Sequence, residues 1–524
     1  MKYCTKIPKN FIVSLPISRI MKVPDKEGEK IMPQWNITDF GAMADGKTNV
    51  APAIQSAIDK CSRSGGGRVI VPAGDYFCGS IELKSNVDLH LELGSRLIVS
   101  LNPEDIHTHS GVVEEKGSGA GYFLGANGAK NIALTGLGKI DGQGYKVMYD
   151  DGLDGGFQES PLMFEGFRPR MTLFVDVEDF LVQDVTFADS SMWTLHLAGC
   201  RHVRIDGIKI FNNTRGPNTD GIDPDCCQDV VISNCIIKTG DDAIVVKATR
   251  EMVQRFGPCR DIVITGCTLH SRDSALKIGT ETHGDIRNIV FSNCVIEDCS
   301  RAVGIWVRDG AVLENIQVSH LVGSVRRYAD ASSRPHTPGW WGKGEPVFLS
   351  ACCRKGLDNC PGTIRNVSVS DVMLDCEAGL FLCGRDGGTI ENVLFKDIFM
   401  KFRRQGTQPT GFFDEQPSER NVYPHPIPAL YAHGIEDLTV KGWKVQYTKS
   451  PRQEAWSHLA ELEDCHDVLL EGVRGGPAEK GLPAIKVGNC EDVKLVDSSI
   501  EHTRTLEEGP PILKQRNVYL KETD

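Results

Sequence analysis

From Ile132 onward the chain repeats one short pattern: apolar, any residue, apolar, polar, small or polar, apolar. It reads I-A-L-T-G-L from residue 132, F-L-V-Q-D-V from 180, V-R-I-D-G-I from 203, V-V-I-S-N-C from 230, I-V-I-T-G-C from 262 and I-V-F-S-N-C from 289. Further copies begin at 367, 393, 438, 468 and 493. Alternation over this length marks a half-buried strand, and no unit carries helical periodicity. Steps such as 23 residues (180 to 203) and 27 residues (203 to 230, 262 to 289) are those of a solenoid, whose units bury their apolar faces only by stacking. The expected fold is all-β: a single-stranded right-handed parallel β-helix. Cys235, Cys267 and Cys294 hold the same place in three copies and should form an internal column.

Upstream, Thr48 or Asn49 can cap a helix over 50–61, closed by Ser64 and three glycines. This helix is expected to cover the N-terminal end of the coil, whose open edge needs a cover. Strands are predicted over 68–72 and 87–93. Residues 1–34 carry no usable pattern and are set apart as an N-terminal extension to a β-helix domain spanning 35–515. Longer steps between repeats mark insertions near 101–130, 140–170, 325–363 and 401–435, expected to wall a cleft.

Composition narrows the functional classes. Among 524 residues, 40% are hydrophobic and 24% charged, enough for a large core. The net charge of −12 and the lack of a Lys/Arg run exclude a general nucleic-acid binder. No apolar stretch is long enough for a membrane-spanning helix, so no membrane partner is expected. Phe11–Ile17 is short and is followed by Arg19 without a small-residue cleavage site, so it does not read as a secretory leader. None of the 18 cysteines forms a C-x-x-C pair. Reduced thiols and a cytoplasmic location are therefore expected, with a disulfide within the stretch Cys352 to Cys360 left open.

The chemistry concentrates between Asn218 and Asp242, where N-T-D (218–220) precedes G-D-D (240–242). Asp241 follows Asp220 by 21 residues, one turn of the coil, which places Asp220, Asp241 and Asp242 side by side. Three carboxylates so close cannot all ionise cheaply, so one should hold a proton beside a general base. Gly-Asp-Asp is also an ordinary turn sequence, and it is the N-T-D one coil earlier that favours chemistry. Asp223 and Asp225 read as turn and capping residues, His196 as packed within its turn, and Trp193 as core. Lys277 alternates with Leu276 and Ile278 and so faces away from the core. Trp340 and Trp341, in a Pro/Gly-rich insertion, are expected to line the cleft.

N-T-D and G-D-D at this spacing, with D-F-G-A at 39–42, G-G-G-R-V-I-V-P-A-G at 65–74 and P-N-T-D-G-I-D-P-D from 217, resemble glycoside hydrolase family 28, the polygalacturonases and rhamnogalacturonan hydrolases. The resemblance spans roughly residues 35–500 and implies a pectin lyase-like coil. It also implies single-displacement hydrolysis with inversion, in which Asp242 is the acid and Asp220 and Asp241 hold the water. It implies no cofactor and no metal.

The family's G-H-G is absent here: Asp273 or Arg272 falls near its place, and Lys277 is added. Gly304-Ile305-Trp306, with Arg308 beyond, stands where the family carries R-I-K. Asn218, Asp273, Lys277, Trp306 and Arg308 are therefore the expected substrate-binding residues. A flat Trp in place of a cation favours stacking on a sugar over gripping a carboxylate. The expected substrate is a pectic, galacturonate-containing and rhamnogalacturonan-type poly- or oligosaccharide. Exo-hydrolysis of oligogalacturonides is an alternative. Two readings of other classes stay open. One is a calcium-dependent lyase with Asp220, Asp223, Asp241 and Asp242 on the ion and Lys277 or Arg308 as base. The other is a non-catalytic glycan-binding coil. The oligomeric state is not legible.

Overall fold

A computed structural model describes residues 32–501, apart from 109–118, 153–159, 329–340, 357–360, 409, 449–453 and 480, together with strands at 514–516 and 519–521. Residues 1–31 of the N-terminal extension, Trp340, Cys360 and parts of all four predicted insertions lie outside the described residues.

The repeats stack one rung per copy. Ile132 pairs with Phe180, Phe180 with Val203, Val203 with Val230, Val230 with Ile262 and Ile262 with Ile289, all in parallel. The ladder continues through Ile316 to Val367, Val393, Leu438, Val468 and Val493. The copy at Ile316 has the same register, but its fifth position is His320 where the other copies carry a small residue or Asp/Asn, which hides it in the sequence. A parallel coil of this kind is right-handed, because right-twisted strands feed their crossovers that way.

The backbone explains the motif's fifth position. Asp184, Asn234, Asn293, Asp371, Asp397 and Asp497 all have φ between 48° and 65°, and so does His320. Asn, Asp and Gly tolerate the left-handed region best, and the coil bends there. The residue just before each copy is left-handed as well, and from Asp261 these residues form a ladder. Asn288 Nδ2 donates to Asp261 Oδ1 (2.7 Å), Asn315 to Asn288 (3.1 Å), Asn366 to Asn315 (3.1 Å) and Asn392 to Asn366 (2.8 Å).

The opposite wall of the coil is a 13-stranded parallel sheet. It includes Leu195–Ala198, Ile222–Asp225, Ile244–Ala248, Ser274–Thr282, Arg301–Val307, Glu345–Ala351, Leu380–Gly384 and Leu430–His433. The first three of these strands are buried at every position, because their inward faces pack the core and their outward faces are covered. Alternation cannot reveal such strands. Four of the sheet's strands, Tyr122–Asn127, Arg170–Val175, Glu345–Ala351 and Leu430–His433, begin inside stretches that read as insertions.

The capping helix runs Ala51–Arg63 and buries Ile54, Ala57, Ile58 and Cys61. Asn49 Oδ1 accepts from Ala51 N (3.1 Å) and Gly79 N (3.0 Å), tying the helix start to the first coil. A second helix, Arg250–Phe256, was not legible in the sequence. Cys235, Cys267 and Cys294 are buried in successive coils.

Candidate active site

The outer face of the 13-stranded sheet bears a cleft of about 320 Å³ whose lining includes Asp220, Asp241, Asp242, Asp273, Lys277 and Glu281. A larger open groove, about 1210 Å³, runs along the other face past His90, Asp184 and His202, and holds none of the three converging aspartates. Chemistry rather than size singles out the smaller cleft.

The coil sets the column. Ile222 pairs with Ile244 and Ile244 with Leu276, so Asp220, Asp242 and Ser274 occupy successive rungs, and Ser274 pairs with Arg301 on the next. One oxygen from each of Asp220, Asp241 and Asp242 lies within 4.8 Å of the others. Asp241 is fixed by Asn218 N (3.1 Å, to Oδ2) and Asp242 N (3.0 Å, to Oδ1). Asn218 is itself left-handed, φ 56°, which turns its amide toward Asp241. Arg168 braces it from behind, donating to Asn218 Oδ1 (3.2 Å) and Pro217 O (2.8 Å). Asp242 accepts from Ser274 N (3.2 Å) and from Lys277 Nζ (2.8 Å).

Burial first, then like charge, drives these carboxyls upward. Asp220 is held well above the ordinary carboxylate range by burial and by Asp223. Asp241 is pushed up to about 7 by burial, Asp220 and Asp273. Asp242 is pushed up to about 7 by burial against the opposing pull of Lys277, with Asp273 and Asp241 adding to the rise. The cluster titrates as a unit, and its direction is clear: it keeps protons that isolated carboxylates would lose.

Two lysines supply the countercharge. Lys277 also lies 3.5 Å from Asp273, and its ammonium is held charged because Asp242 and Asp273 outweigh its burial. Lys247 lies 3.8 Å from Asp220, 3.7 Å from Asp223 and 3.6 Å from Glu281. Burial disfavours its charge, but these three carboxylates outweigh it. Lys247 and Glu281 were missed in the sequence. The signal was present: I-V-V-K-A puts Lys247 two residues from Val245, on the outward face of the strand that follows G-D-D.

Among the expected substrate-binding residues, Asn218, Asp273, Lys277 and Trp306 line the cleft. Trp306 sits on its floor over Gly304, where a Cβ would come within 2.3 Å of the indole. It continues an aromatic stack through Phe348 (4.8 Å) and Phe381 (4.6 Å from Phe348) to Tyr431 (5.4 Å).

Arg308 is a correction. It is 0% exposed and spends its guanidinium on carbonyls, donating to Ser350 O (2.8 Å), Glu415 O (3.1 Å) and Pro417 O (3.3 Å). It anchors the 412–424 hairpin, whose Gln416 and Pro417 wall the cleft, and does not itself line it. Two tryptophans exchange expectations. Trp193 is no core residue: it lines the cleft with Lys247 Nζ 4.1 Å from its ring centroid. Trp341 is buried and donates from Nε1 to Gly240 O (3.1 Å), bracing the G-D-D turn from behind. Asp225 is structural, accepting from Thr249 N (2.9 Å) and Oγ1 (2.7 Å). His196, edge-on to Trp193, is pushed down to about 4 by burial and stays neutral.

Fold and cluster together define the class: a parallel β-helix with a carboxylate-lined cleft on its outer sheet. Residues 61–320 match the model of glycosyl hydrolases family 28, and the chain belongs to that family. It is 28% identical over 322 residues to a probable polygalacturonase of Vitis vinifera, covering 56% of this chain and 61% of that one. It is also 28% identical over 216 residues to a probable rhamnogalacturonase A of Aspergillus oryzae, covering 41% of this chain and 39% of that one. The chain thus spans less than two thirds of the length of these relatives. A solved family 28 exopolygalacturonase of Yersinia enterocolitica shares the fold, with a TM-score of 0.64 at 19% identity over 84% of this chain and 78% of that one.

Proposed function

We propose that this protein hydrolyses α-glycosidic bonds in pectic, galacturonate-containing saccharides by acid–base catalysis at Asp220, Asp241 and Asp242. The observation that carries the reading is the convergence of these three buried carboxyls within 4.8 Å, all raised above the ordinary carboxylate range. A carboxyl near 7 is poised to hold a proton for a leaving oxygen, while an ionised neighbour accepts a proton from water. Asp242 is the acid in this scheme: Ser274 N and Lys277 orient it at the cleft floor. Asp241, pinned by two backbone amides, and Asp220 hold the water. Attack by that water on the face opposite the departing oxygen inverts the anomeric carbon, the outcome that family membership implies, although carboxyl oxygens within 4.8 Å stand closer than the about 6.5–9.5 Å usual for inverting pairs, which makes the product anomer the deciding readout.

The substrate this reading favours is a rhamnogalacturonan-type chain. Lys247 and Lys277 already face carboxylates, and Arg301 contacts Asp273 (3.2 Å) and Glu345 (3.5 Å). A cleft whose cations are thus engaged suits a neutral sugar and a stacking surface at Trp193 better than a run of galacturonates; Trp306, 2% exposed, backs the cleft from the core.

Defined pectic oligosaccharides, with the product anomer followed by NMR, test the proposal. Inverted product from a mixed backbone is expected. Asp242→Asn should lower turnover by about 10²–10⁴-fold with circular dichroism unchanged; retention within about tenfold of the wild-type rate would sink the assignment.

The carboxylate triangle also favours a second reading, a calcium-dependent lyase. Lys277, 2.8 Å from Asp242, already supplies positive charge at the spot a cation would take, and this weighs toward hydrolysis. An ultraviolet-absorbing unsaturated product, abolished by chelator, would decide for the lyase.

A further inference from the structure

About the hairpin that walls the cleft, a second cluster has no part in the carboxylate chemistry. Cys352 and Cys383, on neighbouring rungs, bring their sulfurs to 4.0 Å. The Glu415 carboxylate closes the triangle, Oε2 3.9 Å from Cys352 Sγ and Oε1 3.6 Å from Cys383 Sγ. All three residues are buried. The cysteines belong to the coil and Glu415 to the inserted hairpin.

We propose that Cys352, Cys383 and Glu415 form a binding site for a thiophilic divalent cation, zinc by preference, that fastens the hairpin to the coil. The spacing carries the inference. Tetrahedral zinc, with sulfur at about 2.3 Å and oxygen at about 2.0 Å, holds two sulfurs about 3.8 Å apart and a sulfur and an oxygen about 3.5 Å apart. The observed 4.0, 3.9 and 3.6 Å are close to these values.

The surroundings fit a loaded site. Two thiolates and a carboxylate carry three negative charges against two on the ion. Arg385 Nε, 3.2 Å from Cys383 Sγ, meets the excess. Tyr423 OH donates to Glu415 Oε1 (2.5 Å) and orients it, and Ser350 Oγ lies 3.4 Å from Cys352 Sγ. Such outer partners are the usual company of a bound metal.

A disulfide is the rival use of two close cysteines, and the register opposes it. Cys383 pairs with Ser350, and Arg385 N continues the ladder to Ala351 O (2.9 Å). Cys352 is therefore offset from Cys383 by one rung and two residues, a Cα separation of about 8 Å. Disulfides need less than about 7 Å.

Binding exchanges two thiol protons for the ion, Zn²⁺ + 2 RSH → Zn(SR)₂ + 2 H⁺, with no change of oxidation state. The test uses the full chain, prepared reduced and metal-free, then given one equivalent of zinc. Equilibrium dialysis should retain about one zinc per chain, and X-ray absorption should show two sulfurs at about 2.3 Å with oxygen completing the shell. A shell of oxygen and nitrogen alone, or no retained zinc, overturns the proposal; this arm needs no variant. With cadmium as probe, a thiolate charge-transfer band should appear in the wild type and vanish in Cys352→Ala and Cys383→Ala. Its survival in the double variant overturns the assignment. Arg385→Gln should weaken zinc binding by about 10–100-fold. Asp242→Asn should leave it unchanged, which separates this site from the carboxylate cleft. A Cys352–Cys383 disulfide in protein purified without reductant, found by mass spectrometry, also counts against it.

Discussion

Lys277→Met keeps the aliphatic stem and removes the ammonium that lies 2.8 Å from Asp242 and 3.5 Å from Asp273. With Lys277 present, Asp242 is pushed up to about 7 by burial, partly offset by the lysine's charge. An opposite charge within about 4–6 Å lowers a carboxyl by about 1–3 pH units, or about 1.4–4 kcal/mol at about 1.36 kcal/mol per unit. Removing it releases that restraint, so Asp242 in the variant holds its proton further into the alkaline range. In the proposed chemistry the acid must be protonated, and its ionisation in the free enzyme sets the alkaline limb of kcat/KM. That limb should fall near pH 7 in the wild type and move upward by about 1–3 units in Lys277→Met. The assay is initial-rate hydrolysis of a defined pectic oligosaccharide from pH 4 to 10. A lower plateau alone would not distinguish lost substrate contacts from lost tuning, and the position of the limb does. An unmoved limb, or one displaced toward acid, would refute the coupling between Lys277 and Asp242 and with it the acid role of Asp242.

Two further outcomes concern buried groups behind the cleft. Asp223 is held up to about 8 in the folded protein, against 3.8 ordinarily, by burial that outweighs Lys247. Its contribution to stability is therefore full below about pH 4 and is lost as pH rises through about 8; Asp223→Asn should gain in Tm over the wild type from pH 5 to pH 9, and a difference constant with pH would contradict this. Arg308→Ala should remove a donor from the carbonyls of Ser350, Glu415 and Pro417, at about 1–3 kcal/mol for a buried acceptor left unsatisfied, and lower Tm, with Arg308→Lys restoring little because one ammonium cannot span them. A variant of unchanged Tm but raised KM would return Arg308 to the substrate.

The two walls of the coil were not equally legible. The repeat-bearing wall has one face in the core and one in water, so its strands alternate and its bends demand Gly, Asn or Asp. Every copy read from the sequence lies in one ladder, with the unread copy at Ile316 between those at 289 and 367. The opposite wall carries the site and is buried on both faces, so Ile222–Asp225 and Ile244–Ala248 lack alternation and Glu345–Ala351 was absorbed into an insertion. The aspartates were found because N-T-D and G-D-D flank a repeat copy that was visible. Lys247 and Glu281 were missed because their neighbours in the cleft are distant in sequence and no repeat copy marks their strands. Arg308 shows the limit of matching by position. Its place near the family's R-I-K suggested a ligand-facing cation, whereas the carbonyls of the inserted hairpin decide where its guanidinium goes.

The amide ladder from Asp261 to Asn392 has a consequence for the cleft across the coil. It locks successive coils at the strand spacing, about 4.8 Å, and leaves no soft direction along the axis. In the coils below it the parallel backbone pairing sets the same spacing, so the separation of groups on adjacent rungs, Asp220 from Asp242 or Asp242 from Ser274, is a whole number of rungs before any side chain chooses a rotamer. Substitution inside such a lattice can rotate a carboxylate but cannot slide it by half an ångström. Changes in the distance between acid and water are available in two ways only: a χ angle, or a move of the function to another rung.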